Sequence, residues 1–151
     1  TPSRTPARLG AICVSTNSGP PALWALDATT GATRWTRALG EIHSVNGPAT
    51  GNGRVYLSTG GHEDSFLWSF DAADGSVRFR SPYGNQWSRW PAPAVTADVV
   101  YLAGGYFGGM SAFDARDGAE LWRRGLLQAE DWTPAVDGGK AYVFGNIDSR
   151  W

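Results

Sequence analysis

One short pattern occurs three times in this chain. It reads Ala25-x-Asp27-x-x-Thr30-Gly31-x-x-x-Trp35, then Ser69-x-Asp71-x-x-Asp74-Gly75-x-x-x-Phe79, then Ala112-x-Asp114-x-x-Asp117-Gly118-x-x-x-Trp122. Equivalent positions stand 44 and then 43 residues apart. A unit of that length cannot bury its own apolar face, so its copies must stack on one another. The chain is therefore an array of similar elements rather than a fold with one central core.

Each unit divides into four short strands. The first is small and proline-containing: Gly47–Thr50, Ala92–Val95 and Thr133–Val136, with Thr5–Ala7 as an earlier copy. The second is apolar: Ala11–Ser15, Val55–Ser58, Val99–Ala103 and Ala141–Phe144. The third runs up to the repeated Asp: Leu23–Leu26, Phe66–Phe70 and Met110–Phe113. The fourth carries the repeated aromatic among arginines: Ala32–Arg37, Ser76–Arg80 and Ala119–Arg124. Proline cannot donate to a central ladder, which puts the first strand at one edge. Arginines suit an exposed outer edge, where charge discourages edge-to-edge pairing. The two middle strands are apolar on both faces and must be covered on both.

The turns agree with this division. Asp27, Asp71 and Asp114 open the third-to-fourth connections, where a carboxylate can accept from backbone N–H groups just ahead. Gly31, Gly75 and Gly118 close them with positive φ, in a hairpin loop with a bulge. Asn52-Gly53 and Asp137-Gly138 mark first-to-second turns. Four-stranded antiparallel blades stacked face to face make an all-β protein of the β-propeller type. Residues 1–151 read as one incomplete propeller domain: blades at about 5–40, 47–83 and 92–126, and a partial fourth at about 133–151. The chain thus stops inside a blade, and further blades or self-association are expected to complete the ring. The first residues carry neither an initiator Met nor an apolar signal core, which implies a processed or excised start.

Composition excludes several classes. The net charge is −1, and no Lys/Arg block offers a nucleic acid or an anionic membrane a footing. No apolar run is long enough to span a bilayer. Cys13 is the sole cysteine, so no intrachain disulfide forms, and its apolar neighbours make it a small core hydrophobe rather than a reactive thiol.

The threefold motif resembles the repeat of the pyrroloquinoline-quinone (PQQ)-type β-propellers. The first copy matches at every fixed position; the later ones carry Ser69 for Ala, Asp74 and Asp117 for Thr, and Phe79 for Trp. The resemblance implies that Trp35, Phe79 and Trp122 dock between neighbouring blades, and that Asp27, Asp71 and Asp114 with Gly31, Gly75 and Gly118 are turn residues. It also implies a periplasmic, envelope or secreted setting. The family includes quinoprotein dehydrogenases, non-enzymatic envelope proteins, and sensor domains of membrane kinases. The expectation drawn here is a non-catalytic binding or scaffolding module with no cofactor and a protein or peptide partner. The alternatives are part of a PQQ-dependent dehydrogenase, with PQQ and calcium bound, and a receptor-kinase sensor.

Blade connectivity sorts the loops onto two faces. One holds the short Asp/Gly turns. The other holds the longer loops, with His43, Asn46, His62, Trp87, Arg89, Trp90, Tyr106, Phe107 and Trp132. Polar and aromatic groups on loops over a rigid scaffold are where binding concentrates. Trp87, Trp90 and Trp132 immediately precede inner strands and stand to line the mouth of a central channel. His43, His62, Glu63 and Asp64 lack metal-ligand spacing. A triad of Ser44, His43 and Asp64 has no supporting elbow motif. Gly104-Gly105-Tyr106-Phe107-Gly108-Gly109 has no lysine and no following helix, so it is not a phosphate loop.

Overall fold

The computed structural model describes residues 20–62, 65–84, 91–103, 109–126 and 132–143, and the backbone of residues 11–16. Among these the chain forms four antiparallel sheets and no helix. The first holds β1 (Ala11–Thr16), β2 (Ala22–Asp27) and β3 (Thr33–Ala38), in that order. The second holds β4 (Ser44–Val45), β5 (Ala49–Gly51), β6 (Arg54–Gly60), β7 (Phe66–Asp71) and β8 (Val77–Pro82). There β4 and β5 both pair with β6, which pairs with β7 and then β8. The third runs β9 (Ala94–Val95), β10 (Val99–Ala103), β11 (Met110–Asp114) and β12 (Glu120–Arg124). The fourth pairs β13 (Ala135–Asp137) with β14 (Lys140–Tyr142).

This is the propeller architecture that the repeat predicts, with the arginine-bearing β3, β8 and β12 on the outer edges. The inner strand differs in detail. In the second sheet it reaches back to Ser44, beyond the expected Gly47–Thr50, and is interrupted at 46–48. Pro48 cannot donate to the ladder, and the interruption places it where no N–H is needed. Asn46 bridges the gap: its N–H donates to Ser58 O at 2.9 Å and its Nδ2 to Ser58 Oγ at 2.9 Å. In the fourth sheet Asp137 ends β13, so the turn is Gly138-Gly139, at φ 53° and 74°. The expected copy at Thr5–Ala7 lies outside the described residues.

The third-to-fourth hairpins repeat one geometry. Gly31, Gly75 and Gly118 have φ of 71°, 70° and 75°. A register shift follows each repeated small residue, after Ala25, Ser69 and Ala112. That shift is the bulge that lets a tight loop close on twisted strands.

Two apolar layers lie between the sheets. Leu23, Leu39, Val45, Val55, Leu57 and Phe70 join the first sheet to the second, with Trp35 and Trp68 packed alongside. Tyr56, Leu67, Tyr83, Val100, Leu102 and Phe113 join the second to the third, with Phe79 alongside. Alternation along β6 sends Val55 and Leu57 one way and Tyr56 the other, so one strand serves both layers.

Candidate functional site

The repeated turn residues are engaged in holding their own turns. Asp27 Oδ1 accepts from the N–H groups of Thr29 and Thr30 at 3.0 Å each, and its Oδ2 accepts from Arg34 at 2.6 Å. Asp71 accepts from the Ala73 N–H at 2.8 Å and pairs with Arg78. Asp114 accepts from the Arg116 N–H at 2.7 Å and pairs with the Arg116 side chain at 2.8 Å. The position of Arg34 and Arg78 is Leu121 in the third sheet, and the partner moves into the turn as Arg116. These contacts hold all three carboxyls below their usual range, Asp114 falling from 3.8 to about 2, chiefly through its side-chain bond with Arg116.

The repeated aromatics are engaged with the neighbouring sheet. Trp35 lies on Gly75, where a Cβ would fall 2.6 Å from its Cε3, and its Nε1 donates to Ala72 O at 3.1 Å. Arg37 donates to Gly75 O at 2.6 Å and to Asp74 O at 2.8 Å. Phe79 lies on Gly118 in the same way, with Cδ2 2.5 Å from such a Cβ. Phenylalanine has no N–H for Ala115 O, the equivalent of Ala72 O. Tyr56 Oη and Arg54 donate to it instead, each at 2.9 Å. Trp122 is the exception among the three, 43% exposed.

Of the predicted binding residues, the structure describes His43, Asn46, His62 and Trp132. Pairing of Ser44 with Gly60 brings His43 and His62, both exposed, to the same end of the second sheet. Asn46 is wholly buried and serves the strand interruption, so it stands beneath that end rather than on it. Pro91 and Trp132 occupy the equivalent of Asn46 in the next two units. Trp132 is half-buried, and its Nε1 is buried with no hydrogen-bond partner among the described residues. Beside it, Thr133 Oγ1 accepts from the Ala92 N–H at 3.1 Å. Trp87, Arg89, Trp90, Tyr106 and Phe107 lie outside the described residues.

Sequence reasoning missed one cluster. Alternation along β7 lines up Phe66, Trp68 and Phe70, and Trp68 stacks on Phe70 with ring centroids 5.9 Å apart and planes 6° apart. The Arg80 guanidinium lies 3.6 Å from the Phe66 centroid and 4.9 Å from that of Trp68. The signal was present as aromatics at alternate positions with a basic residue opposite on the next strand. Among the described residues no three His, Cys, Asp or Glu side chains converge.

The family model described as outer membrane protein assembly factor BamB matches residues 3–130. The chain belongs to this family. The crystal structure of BamB from Moraxella catarrhalis superposes with a TM-score of 0.67 at 23% identity, over 87% of this chain and 42% of that one. Quinohemoprotein alcohol dehydrogenase from Comamonas testosteroni superposes with a TM-score of 0.64 at 27% identity, over 79% of this chain and 20% of that one. The serine/threonine-protein kinase AfsK of Streptomyces griseus is 37% identical over 111 residues, which is 67% of this chain and 13% of the kinase. The chain thus spans less than half of each of these relatives.

Proposed function

We propose that this chain is part of a non-catalytic PQQ-like repeat propeller that binds a protein or peptide, in the cell envelope or outside the cell. Further blades or a second copy complete the ring. The contact surface of this reading is the face carrying His43, His62 and Trp132, and the repeat pattern of the sequence assigns the loops that hold Trp87, Arg89, Trp90, Tyr106 and Phe107 to the same set. One observation carries the reading: an indole N–H on the loop face is buried without an acceptor among the described residues. That donor is the Nε1 of Trp132, whereas the Asp carboxylates of the turn face are occupied by their own turns. A peptide carbonyl satisfies such a donor, and indole rings supply contact area at low entropic cost. The BamB family assignment supports a role in assembly with other proteins and an envelope setting.

Alanine at Trp87, Trp90 and Tyr106 together is expected to abolish capture of the partner while thermal stability stays unchanged. Undiminished capture by the folded triple variant removes this face from consideration.

The match to AfsK favours a second reading, in which the same module is the sensing part of a serine/threonine kinase. It predicts that the parent polypeptide carries a kinase domain whose autophosphorylation responds to a ligand, and that the same triple variant loses the response. A parent polypeptide with no kinase domain rules it out.

A further inference from the structure

We propose that Asn52 is a site of spontaneous amide-to-acid modification, held in check by the joint between the second and third sheets, and that its products loosen that joint. Asn52-Gly53 is the two-residue loop of the β5–β6 hairpin, closed by the pairing of Gly51 with Arg54. Both residues have positive φ, 56° and 70°, the conformation of a type I′ turn. Both are exposed. In this dipeptide the Gly53 nitrogen can attack the Asn52 side-chain amide carbon, because glycine puts no side chain in the way. The Gly53 N–Asn52 Cγ bond forms and the Cγ–Nδ2 bond breaks. Ammonia leaves, carrying the proton that Gly53 N gives up, and a five-membered succinimide remains. Water then opens one of its two imide bonds, giving aspartate or isoaspartate.

The folded turn resists the first step. Ring closure requires rotation about the Asn52 Cα–C bond until Gly53 N eclipses Cβ, far from the ψ of a type I′ turn. Two hydrogen bonds oppose that rotation. Asn52 Nδ2 donates to Thr96 O at 2.9 Å, across to the third sheet. Gly53 O accepts from the Ala72 N–H at 3.0 Å. Thr96 is a fixed anchor, because its N–H and its Oγ1 donate to Val99 O at 2.9 and 3.1 Å. The leaving nitrogen is thus the atom that fastens the turn to its neighbour, and the reaction waits on release of that bond.

The products cannot restore the joint. An ionised aspartate at position 52 offers only acceptors to the Thr96 carbonyl, since the donor has left with the ammonia. Isoaspartate also adds a methylene to the backbone between Gly51 and Gly53. There is no slack to take it up: a Cβ at Gly51 would fall 2.7 Å from Val95 Cγ1, so the inner edges of these two sheets already touch. The corresponding turns of the third and fourth sheets are Ala97-Asp98 and Gly138-Gly139, neither with an asparagine. Asn52 therefore sets this joint apart. All of these groups lie between two described sheets, away from the residues of the loop-face reading.

Peptide mapping by mass spectrometry, with enzymatic methylation of isoaspartate as a second readout, follows Asn52 at mildly alkaline pH. The folded chain is compared with a free peptide of residues 49–56. The folded chain is expected to react ~10- to ~100-fold more slowly than the peptide, the factor set by how rarely the joint opens. Phe79→Leu loosens the same joint and is expected to speed the reaction severalfold. Trp35→Leu loosens the joint on the other side of the second sheet and is expected to leave the rate within about twofold. Should Phe79→Leu fail to fold, the wild type in urea below its unfolding transition takes its place, with the same acceleration expected. Thermal melts of fresh protein weigh the product against a neutral control. Asn52→Asp is expected to melt below Asn52→Gly, which loses the donor without adding a charge. The proposal is overturned by a folded chain that matches the peptide's rate or yields no Asn52 product. Equal acceleration in Phe79→Leu and Trp35→Leu, or an Asn52→Asp chain that melts no lower than Asn52→Gly, overturns it as well.

Discussion

A glycine's cost of substitution depends on what stands over it. Gly31 and Gly75 share their backbone conformation, but Trp35 covers only Gly75. Gly31→Ala is expected to cost about 1–2 kcal/mol, the strain of placing an L residue at positive φ. Gly75→Ala carries that strain and also displaces an indole, so it is expected to cost a further ~1–3 kcal/mol. Urea unfolding of dilute protein measures both, and equal losses at the two sites would contradict the docking of Trp35. The turn carboxylates predict the acid limb. Because Asp27, Asp71 and Asp114 titrate lower when folded than when unfolded, their stabilisation is complete above about pH 5. It is lost as pH falls from the ordinary carboxylate range towards the about 2 of folded Asp114. Thermal melts against pH are expected to be level near neutrality and to fall through that window, less steeply for Asp114→Asn. These glycine and aspartate roles were legible beforehand, because a motif recurring at one spacing declares positions of equal environment. The substitution of Tyr56 and Arg54 for a missing indole N–H was not legible, since nothing local to Phe79 says which carbonyl it fails to cap.

At the level of strands and sheets, the joints differ in chemistry while keeping one geometry. Between the first two sheets, Trp35 both packs and donates. Between the next two, Phe79 packs while Tyr56 and Arg54 donate to Ala115 O. Tyr56→Phe is expected to cost about 1 kcal/mol, the net worth of one hydrogen bond. Phe79→Trp in that background brings an N–H to the same carbonyl and is expected to recover part of the loss. A double-mutant cycle with purely additive effects would show that the two side chains do not serve one acceptor. The middle strands were legible because Val55–Leu57 of β6 and Val99–Ala103 of β10 are unbroken apolar runs. The inner strands were not. Their pairing across a proline interruption depends on Asn46 and Ser58, twelve residues apart, which no local pattern links.

For the whole molecule, the stacked sheets and the loop face are separate features. Trp24 and Trp122 are exposed, and each has a half-buried counterpart inside the chain. The loop face has no such internal template, and its histidines and tryptophans fall on connections whose chemistry does not repeat. This explains why the architecture could be read so much further than the partner could. Face-to-face stacking with each ring on its neighbour's glycine is the claim on which the rest depends. Ring currents report it directly, because an indole or phenyl ring held over a glycine shifts that residue's α protons upfield. In dilute protein the α protons of Gly75 and Gly118 are expected upfield and those of Gly31 at an ordinary position, and Trp35→Leu should return Gly75 alone to normal. Ordinary shifts at all three glycines in the folded chain would contradict the stacking.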